Sequence, residues 1–207
     1  MLLWVGAAAM AVGALAVGLA GRGTTGRART VAAVAVGPPV SAGTWYVAMA
    51  LGQATLVRPA GVVAWGRYAD GVVTIPLLVA LLGLLAGADR RATALAMAVG
   101  AYTMATTLAA TLSTGAAALV WLAVSVGGFC ALLALVFGPL TPDPDASTRR
   151  LRGYLVALWL GYPLLWLLGP AGLALAPDVP TGVLAVGLDL LVKPGTGLLA
   201  VRAASGP

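Results

Sequence analysis

The 207-residue sequence has no histidine, no glutamate and one cysteine, Cys130. A single cysteine excludes any disulfide within the chain. Without histidine, the usual nitrogen and sulfur ligands of a structural or catalytic metal are missing. Charge is scarce as well. Only 9% of residues are charged, whereas a soluble domain carries about 25%. What fills the chain instead is apolar: 61% of residues are hydrophobic, in runs that continue from one end to the other. The composition implies a polytopic membrane protein in the lipid bilayer, forming one domain over 1–207. The net charge of +6 is not a nucleic-acid signal, because the basic residues fall in short loops between apolar runs.

A run of about 20 apolar residues can cross a bilayer. Seven such runs are present, over 2–20, 31–53, 61–84, 92–112, 116–138, 151–169 and 180–201, separated by Gly, Pro and charges. The fold class expected is all-α, a seven-transmembrane-helix bundle with antiparallel neighbours. No basic segment precedes the first run, so that run is expected to be a retained helix rather than a cleaved signal peptide. Arg22, Arg27, Arg29, Arg90, Arg91, Arg149, Arg150, Arg152 and Arg202 all fall at one set of alternate ends. The opposite loops hold only Arg58 and Asp178. By the positive-inside rule the N-terminus is expected outside and the C-terminus in the cytoplasm.

Four ionisable residues remain inside spans: Arg67, Asp70, Asp189 and Lys193. A charge at the bilayer centre costs roughly 2.5–3.5 kcal/mol on insertion scales, so it is normally paired or used. Asp189 and Lys193 stand four residues apart, about 6 Å along a helix and on one face. The formal charges of the four sum to zero, as a desolvated cluster requires. Lys193 is therefore either half of a structural ion pair or the attachment point of an aldehyde cofactor, since a buried amine can attack a carbonyl. Thr74, at i+4 from Asp70, shares its face and is placed to hydrogen-bond to it. Trp159, Tyr162 and Trp166 follow i, i+3, i+7 spacing on the sixth span, which Pro163 is expected to kink. Tyr46 and Tyr68 add phenols that need partners inside a bundle. Asp89, Asp143 and Asp145 read as solvated loop charges, and Cys130 as packing.

These residues carry a resemblance. Arg67-Tyr68-Ala69-Asp70-Gly71-Val72-Val73-Thr74-Ile75-Pro76-Leu77-Leu78 resembles the R-Y-x-D-W-x-x-T-T-P-L-L segment of the microbial rhodopsins. Trp159-Leu160-Gly161-Tyr162-Pro163-Leu164-Leu165-Trp166 resembles their W-x-x-Y-P-x-x-W. Asp189 to Lys193 matches their D-x-x-x-K. Within the archaeal type 1 family, the segments around Asp89 and Pro170 look most like sensory rhodopsin II of haloarchaea. The resemblance implies all-trans retinal bound at Lys193 as a protonated Schiff base. It implies Asp70 as primary counterion and proton acceptor, and Asp189 as second counterion with Tyr46 and Tyr162 as partners. Arg67 would couple the cluster to the outer side. Trp159, Trp166 and Pro163 would wall the chromophore, with Thr103 and Thr107 bordering it. The family's Trp is Gly71 here, which predicts a hole or a wider ring pocket. Pro194 removes a helix hydrogen bond directly after the lysine, where the family's helix is already irregular.

Family pumps keep a carboxylate at the position of Leu81 to return a proton to the Schiff base, and acidic groups at positions matching Ala171 and Thr181. All three are absent here, which predicts a slow cycle suited to a photoreceptor for phototaxis. The alternative is a light-driven outward proton pump. A third reading is a membrane protein that kept the fold without the photochemistry. A sensor would sit in the archaeal plasma membrane and dock a two-helix membrane transducer against spans six and seven. The family's contact Tyr and signalling Thr are Gly187 and Val192 here. Homo-oligomers occur in the family.

Overall fold

A computed structural model describes residues 1–176 and 178–206, with the side chains of 178–180 excepted. Among the described residues, seven helical segments are long and apolar enough to cross a membrane. They are α1 (Leu2–Ala20), α2 (Gly26–Ala50), α3 (Gly66–Ala86), α4 (Arg90–Leu112), α5 (Gly115–Phe137), then α6 (Ala146–Trp159) with α7 (Gly161–Leu168), and finally α8 (Asp178–Leu190), a π turn at Leu191–Gly195 and α9 (Thr196–Ser205). α3 is the most enclosed span. α1 and α5 lie at the periphery. Exposed Trp4, Leu15, Leu119 and Leu164 belong to an outer surface that lipid would solvate.

The segment ends differ from the sequence reading in ways that local chemistry explains. The second span begins at Gly26 rather than 31, so Arg27 and Arg29 lie in its first turn. Their long stems let the charged heads leave an apolar face. The third span begins at Gly66 rather than 61. The β-branched residues before it pair instead as a hairpin, β1 (Leu56–Arg58) with β2 (Gly61–Val63), in the register Leu56↔Val63. Arg58 ties this hairpin to the end of α4, donating to Thr111 O at 2.6 Å and Ser113 O at 3.0 Å. The sixth span starts at Ala146 and is interrupted at Leu160, because Pro163 cannot donate to the carbonyl of Trp159. Asp178 opens α8, and its side chain lies outside the described residues. Cys130, read as packing, is exposed on α5.

Two loop aspartates read as solvated do structural work. Gly87 ends α3 in the left-handed region at φ 64, and the Ala88 N–H returns to Gly83 O at 2.9 Å. Asp89 then caps α4, accepting from the N–H groups of Arg91 and Ala92, so one short turn closes the helical pair. Asp145 caps α6 through the Thr148 N–H at 2.7 Å. That bond, with Arg27 adding, holds the Asp145 carboxyl below the usual aspartate value. A depressed value means the cap's contribution is complete above about pH 4, the ordinary aspartate range, and fades as pH falls through the lowered value. Asp145→Ala will therefore lower the melting temperature at pH 7, and the gap from the parent will narrow in acid; an equal gap at both pH values would contradict this.

The core has two apolar halves. One gathers Leu78, Leu81, Leu82, Leu132, Leu155 and Val192 toward the arginine-rich ends. The other gathers Met10, Ala42, Tyr46, Met49 and Val186 toward the hairpin. By register, Asp70 and Lys193 fall between them. Small residues bring the helices close. A Cβ on Gly6 would lie 2.5 Å from the Tyr46 ring, and one on Gly13 would lie 2.6 Å from the Pro194 ring.

Candidate functional site

The intramembrane charges converge from two spans, the third and the seventh. α3 brings Arg67 and Asp70, α8 brings Asp189, and the π turn presents Lys193. Asp70, Asp189 and Lys193 are each at most 5% exposed. The π turn places Pro194 where a regular helix would require its missing N–H. α1 accepts the proline ring opposite Gly13.

The two carboxylates are unequal in their bonding. Asp189 Oδ1 accepts from Lys193 Nζ at 2.7 Å and from Tyr162 Oη at 2.8 Å. Its Oδ2 accepts from Tyr46 Oη at 2.6 Å and Arg67 Nη1 at 2.8 Å. An ionised carboxylate has about four acceptor sites, so Asp189 is saturated. Asp70 has one hydrogen-bond donor, the hydroxyl of Ser41, which reaches Oδ1 at 2.7 Å. Lys193 Nζ stands 2.8 Å from Asp70 Oδ2, in ion-pair range, yet the angles do not make a hydrogen bond and that oxygen has no hydrogen-bond donor. The close approach is real as charge pairing. The acceptor capacity of Oδ2 remains open.

Several placements differ from the spacing argument. Thr74 is buried on α3 but does not bond Asp70; Ser41 on α2 does. Ser41 was not singled out in the sequence. Its signal was being a hydroxyl midway along a span poor in polar side chains. Arg67 does not turn to Asp70 on its own helix. It bonds Asp189 and Tyr46 across the bundle, 5.0 Å from the Tyr46 ring centre.

A cavity of about 470 Å³ opens beside Lys193. Trp159, Tyr162, Pro163 and Trp166 line it, as do Gly71, Thr74, Thr103, Thr107, Met104 and Phe129. Tyr46 does not line it and acts at Asp189. Trp166 is fixed by its Nε1–H bond to Thr111 Oγ1 at 2.9 Å. Thr103 and Thr107 border it as expected, while their hydroxyls donate to their own helix, to Val99 O and Thr103 O, both at 2.8 Å. Thr107 also meets Ser125 at 2.5 Å. Gly71 lines the cavity, and beside it the Met104 thioether occupies the space that a Cβ there would enter. Gly71→Ala will therefore press on Met104 and reduce capture of an elongated apolar ligand. Gly71→Ala with Met104→Ala will recover it, measured by titration of the cavity with retinal; an unaffected single variant would contradict this packing.

The family model for bacteriorhodopsin-like proteins matches residues 1–206. The chain belongs to that family. It is 35% identical to sensory rhodopsin-2 of Natronomonas pharaonis over 99% of this chain and 88% of that protein. It is 33% identical to bacteriorhodopsin of a Haloterrigena strain over 79% of this chain and 71% of that one. The solved structure of halorhodopsin, a light-driven chloride pump, superposes with a TM-score of 0.90 at 27% identity, covering 99% of this chain and 94% of that one. The chain is thus a multi-pass membrane protein of the rhodopsin family, similar to sensory and pumping members alike.

Family members bind retinal through a lysine, and the residues present fit such a group. The cavity lies within the roughly 300–1,000 Å³ range of small-molecule sites, is walled by aromatic and aliphatic side chains, and reaches a buried primary amine. Beside that amine, Asp70 Oδ2 is a buried acceptor without a donor.

Proposed function

We propose that this protein is a retinal photoreceptor of the sensory rhodopsin II kind, with a slow return of the proton to Lys193. Lys193 would hold all-trans retinal through its buried amine, and the bound group would supply absorption of visible light. The chain supplies the rest. Trp159, Trp166, Tyr162, Pro163, Gly71 and Met104 confine the polyene and exclude water. Asp189, saturated by four donors, keeps a fixed negative charge opposite the nitrogen. Asp70 receives the proton on Oδ2, its open oxygen 2.8 Å from Nζ. Ser41 holds the other oxygen and so orients the carboxylate. Arg67 links the network toward the hairpin side.

One observation carries the choice of sensor over pump. Leu81 is fully buried among Leu78, Leu82 and Leu155, on the side of Lys193 away from the two aspartates. Among the described residues, every carboxylate on that side is an exposed surface group: Asp89, Asp143 and Asp145. No buried carboxyl can return a proton quickly, and slow return prolongs the lit state. The arginine-rich ends support an orientation with that side cytoplasmic. A two-helix transducer against the sixth and seventh spans completes this reading. Gly187 is exposed there with open space above it, while Val192 is buried and cannot touch a partner.

Illumination of cells in unbuffered medium tests the choice. Sustained outward acidification abolished by an uncoupler would establish a pump instead. Leu81→Asp will accelerate proton return by about a hundredfold, the usual scale for a positioned acid. Parent kinetics already within milliseconds would defeat the argument without that variant. Copurification from membranes tests the transducer.

A further inference from the structure

Thr196 is completely buried in the seventh span, and its hydroxyl has no hydrogen-bond partner. Five other hydroxyls in the spans behave differently. Thr103, Thr106, Thr107, Thr111 and Ser205 each donate to the carbonyl four residues earlier. For Thr196 that carbonyl belongs to Val192, and no such bond forms. The π turn is the reason. It draws the Thr196 N–H to Leu191 O and so changes the register of the carbonyls beneath the side chain. A buried hydroxyl is expensive without a partner, and an ordered water is the usual remedy where two or more polar groups are in reach.

The surroundings offer them. Thr196 is flanked by Gly195 and Gly197, and these admit close polar neighbours: the Tyr154 hydroxyl packs at Gly195, where an added Cβ would lie 2.9 Å from it. At Gly197, α9 presses on the backbone of α2: an added Cβ would lie 3.1 Å from Ala35 O. Pro39 cannot give that carbonyl the helix donor it would otherwise receive. A polar seam of Thr196 Oγ1 and a peptide acceptor therefore lies one turn beyond Lys193. Asp189 lies one turn before Lys193, on the other side. Leu81, where a carboxyl would serve the same side, is apolar.

We propose that Thr196 anchors an ordered water on the side of Lys193 opposite the aspartates, and that this water hands the proton back to the Lys193 nitrogen. An O–H bond of the water breaks as the N–H bond forms, and the hydroxide left behind regains its proton from bulk water. Thr196 itself is a positioning residue. The hydration stands on the structure alone; the relay rests on the retinal reading above.

Two variants test it in the full-length protein. Thr196→Val keeps the shape and removes the hydroxyl, while Thr196→Ser keeps the hydroxyl. Infrared spectra of the dark protein in H₂¹⁶O and H₂¹⁸O will show one ordered-water stretch lost in Thr196→Val and kept in Thr196→Ser. Flash kinetics will show proton return slowed at least about tenfold in Thr196→Val, with parent rates in Thr196→Ser. Unchanged water bands and unchanged kinetics in Thr196→Val would overturn the proposal. So would a retinal-free Thr196→Val that melts above the parent, since removing a dry, lonely hydroxyl stabilises. If the parent forms no pigment with retinal, the photoreceptor reading fails and the relay with it. The water bands of the retinal-free protein then still decide whether Thr196 is hydrated.

Discussion

Lys193→Ala will abolish the visible absorption band that forms when all-trans retinal is added to the purified protein. No other lysine exists in the chain, so no second amine can take its place at the cavity. The loss will extend beyond the pigment. Lys193 Nζ lies 2.7 Å from Asp189 and 2.8 Å from Asp70. Removing it leaves two buried carboxylates facing each other, with Arg67 on the far side of Asp189 as the remaining cation. Stranding a buried charge in this way costs about 3–5 kcal/mol. The variant will therefore melt well below the parent before any retinal is added. Lys193→Ala with Asp70→Asn removes one charge of each sign and will recover part of that loss. A visible band that survives in Lys193→Ala would remove the covalent attachment. A double variant no more stable than the single one would show that the carboxylates do not repel.

The second large effect falls on Asp70. Asp70→Asn will eliminate the light-induced carboxylic C=O stretch in infrared difference spectra and slow proton departure from the Lys193 nitrogen at least about a hundredfold. The corresponding change at Asp189 will not have this signature. Asp189 has four donors within 2.8 Å, and a proton added there must displace one of them. At Asp70 Oδ2 the group in reach is the Lys193 ammonium, at 2.8 Å, and it is the group that gives up the proton. Ser41→Ala should give a graded version, because it frees the Asp70 carboxylate to rotate without removing it. A C=O band that persists in Asp70→Asn and vanishes in Asp189→Asn would reverse the assignment of roles.

The aspartates, the arginine and the lysine were legible in the sequence because charge is so costly in hydrocarbon that four exceptions announce themselves. The seven spans were legible for the complementary reason, their unbroken apolarity. The partners of the charges were harder to read. Spacing on α3 put Thr74 beside Asp70, but a helix face is wide, and the hydroxyl that arrives comes from Ser41 on another helix. The same limit sent Arg67 across the bundle to Asp189. Gly71 read as a missing ring, since sequence reports what a residue lacks and not which neighbour moves in; Met104 does. The hairpin was hidden because a short apolar β-branched run looks like the start of the next span. The π turn could not be placed from Pro194 alone.

The interruptions in the helices are unevenly distributed. The first five spans run unbroken, although α2 and α3 carry prolines. The sixth breaks at Leu160 and the seventh passes through the π turn, and these two touch where Gly161 packs on Leu188. The irregular turns are thus confined to one adjacent pair, the pair that carries Lys193 and the tryptophans of the cavity wall, while five regular helices surround it.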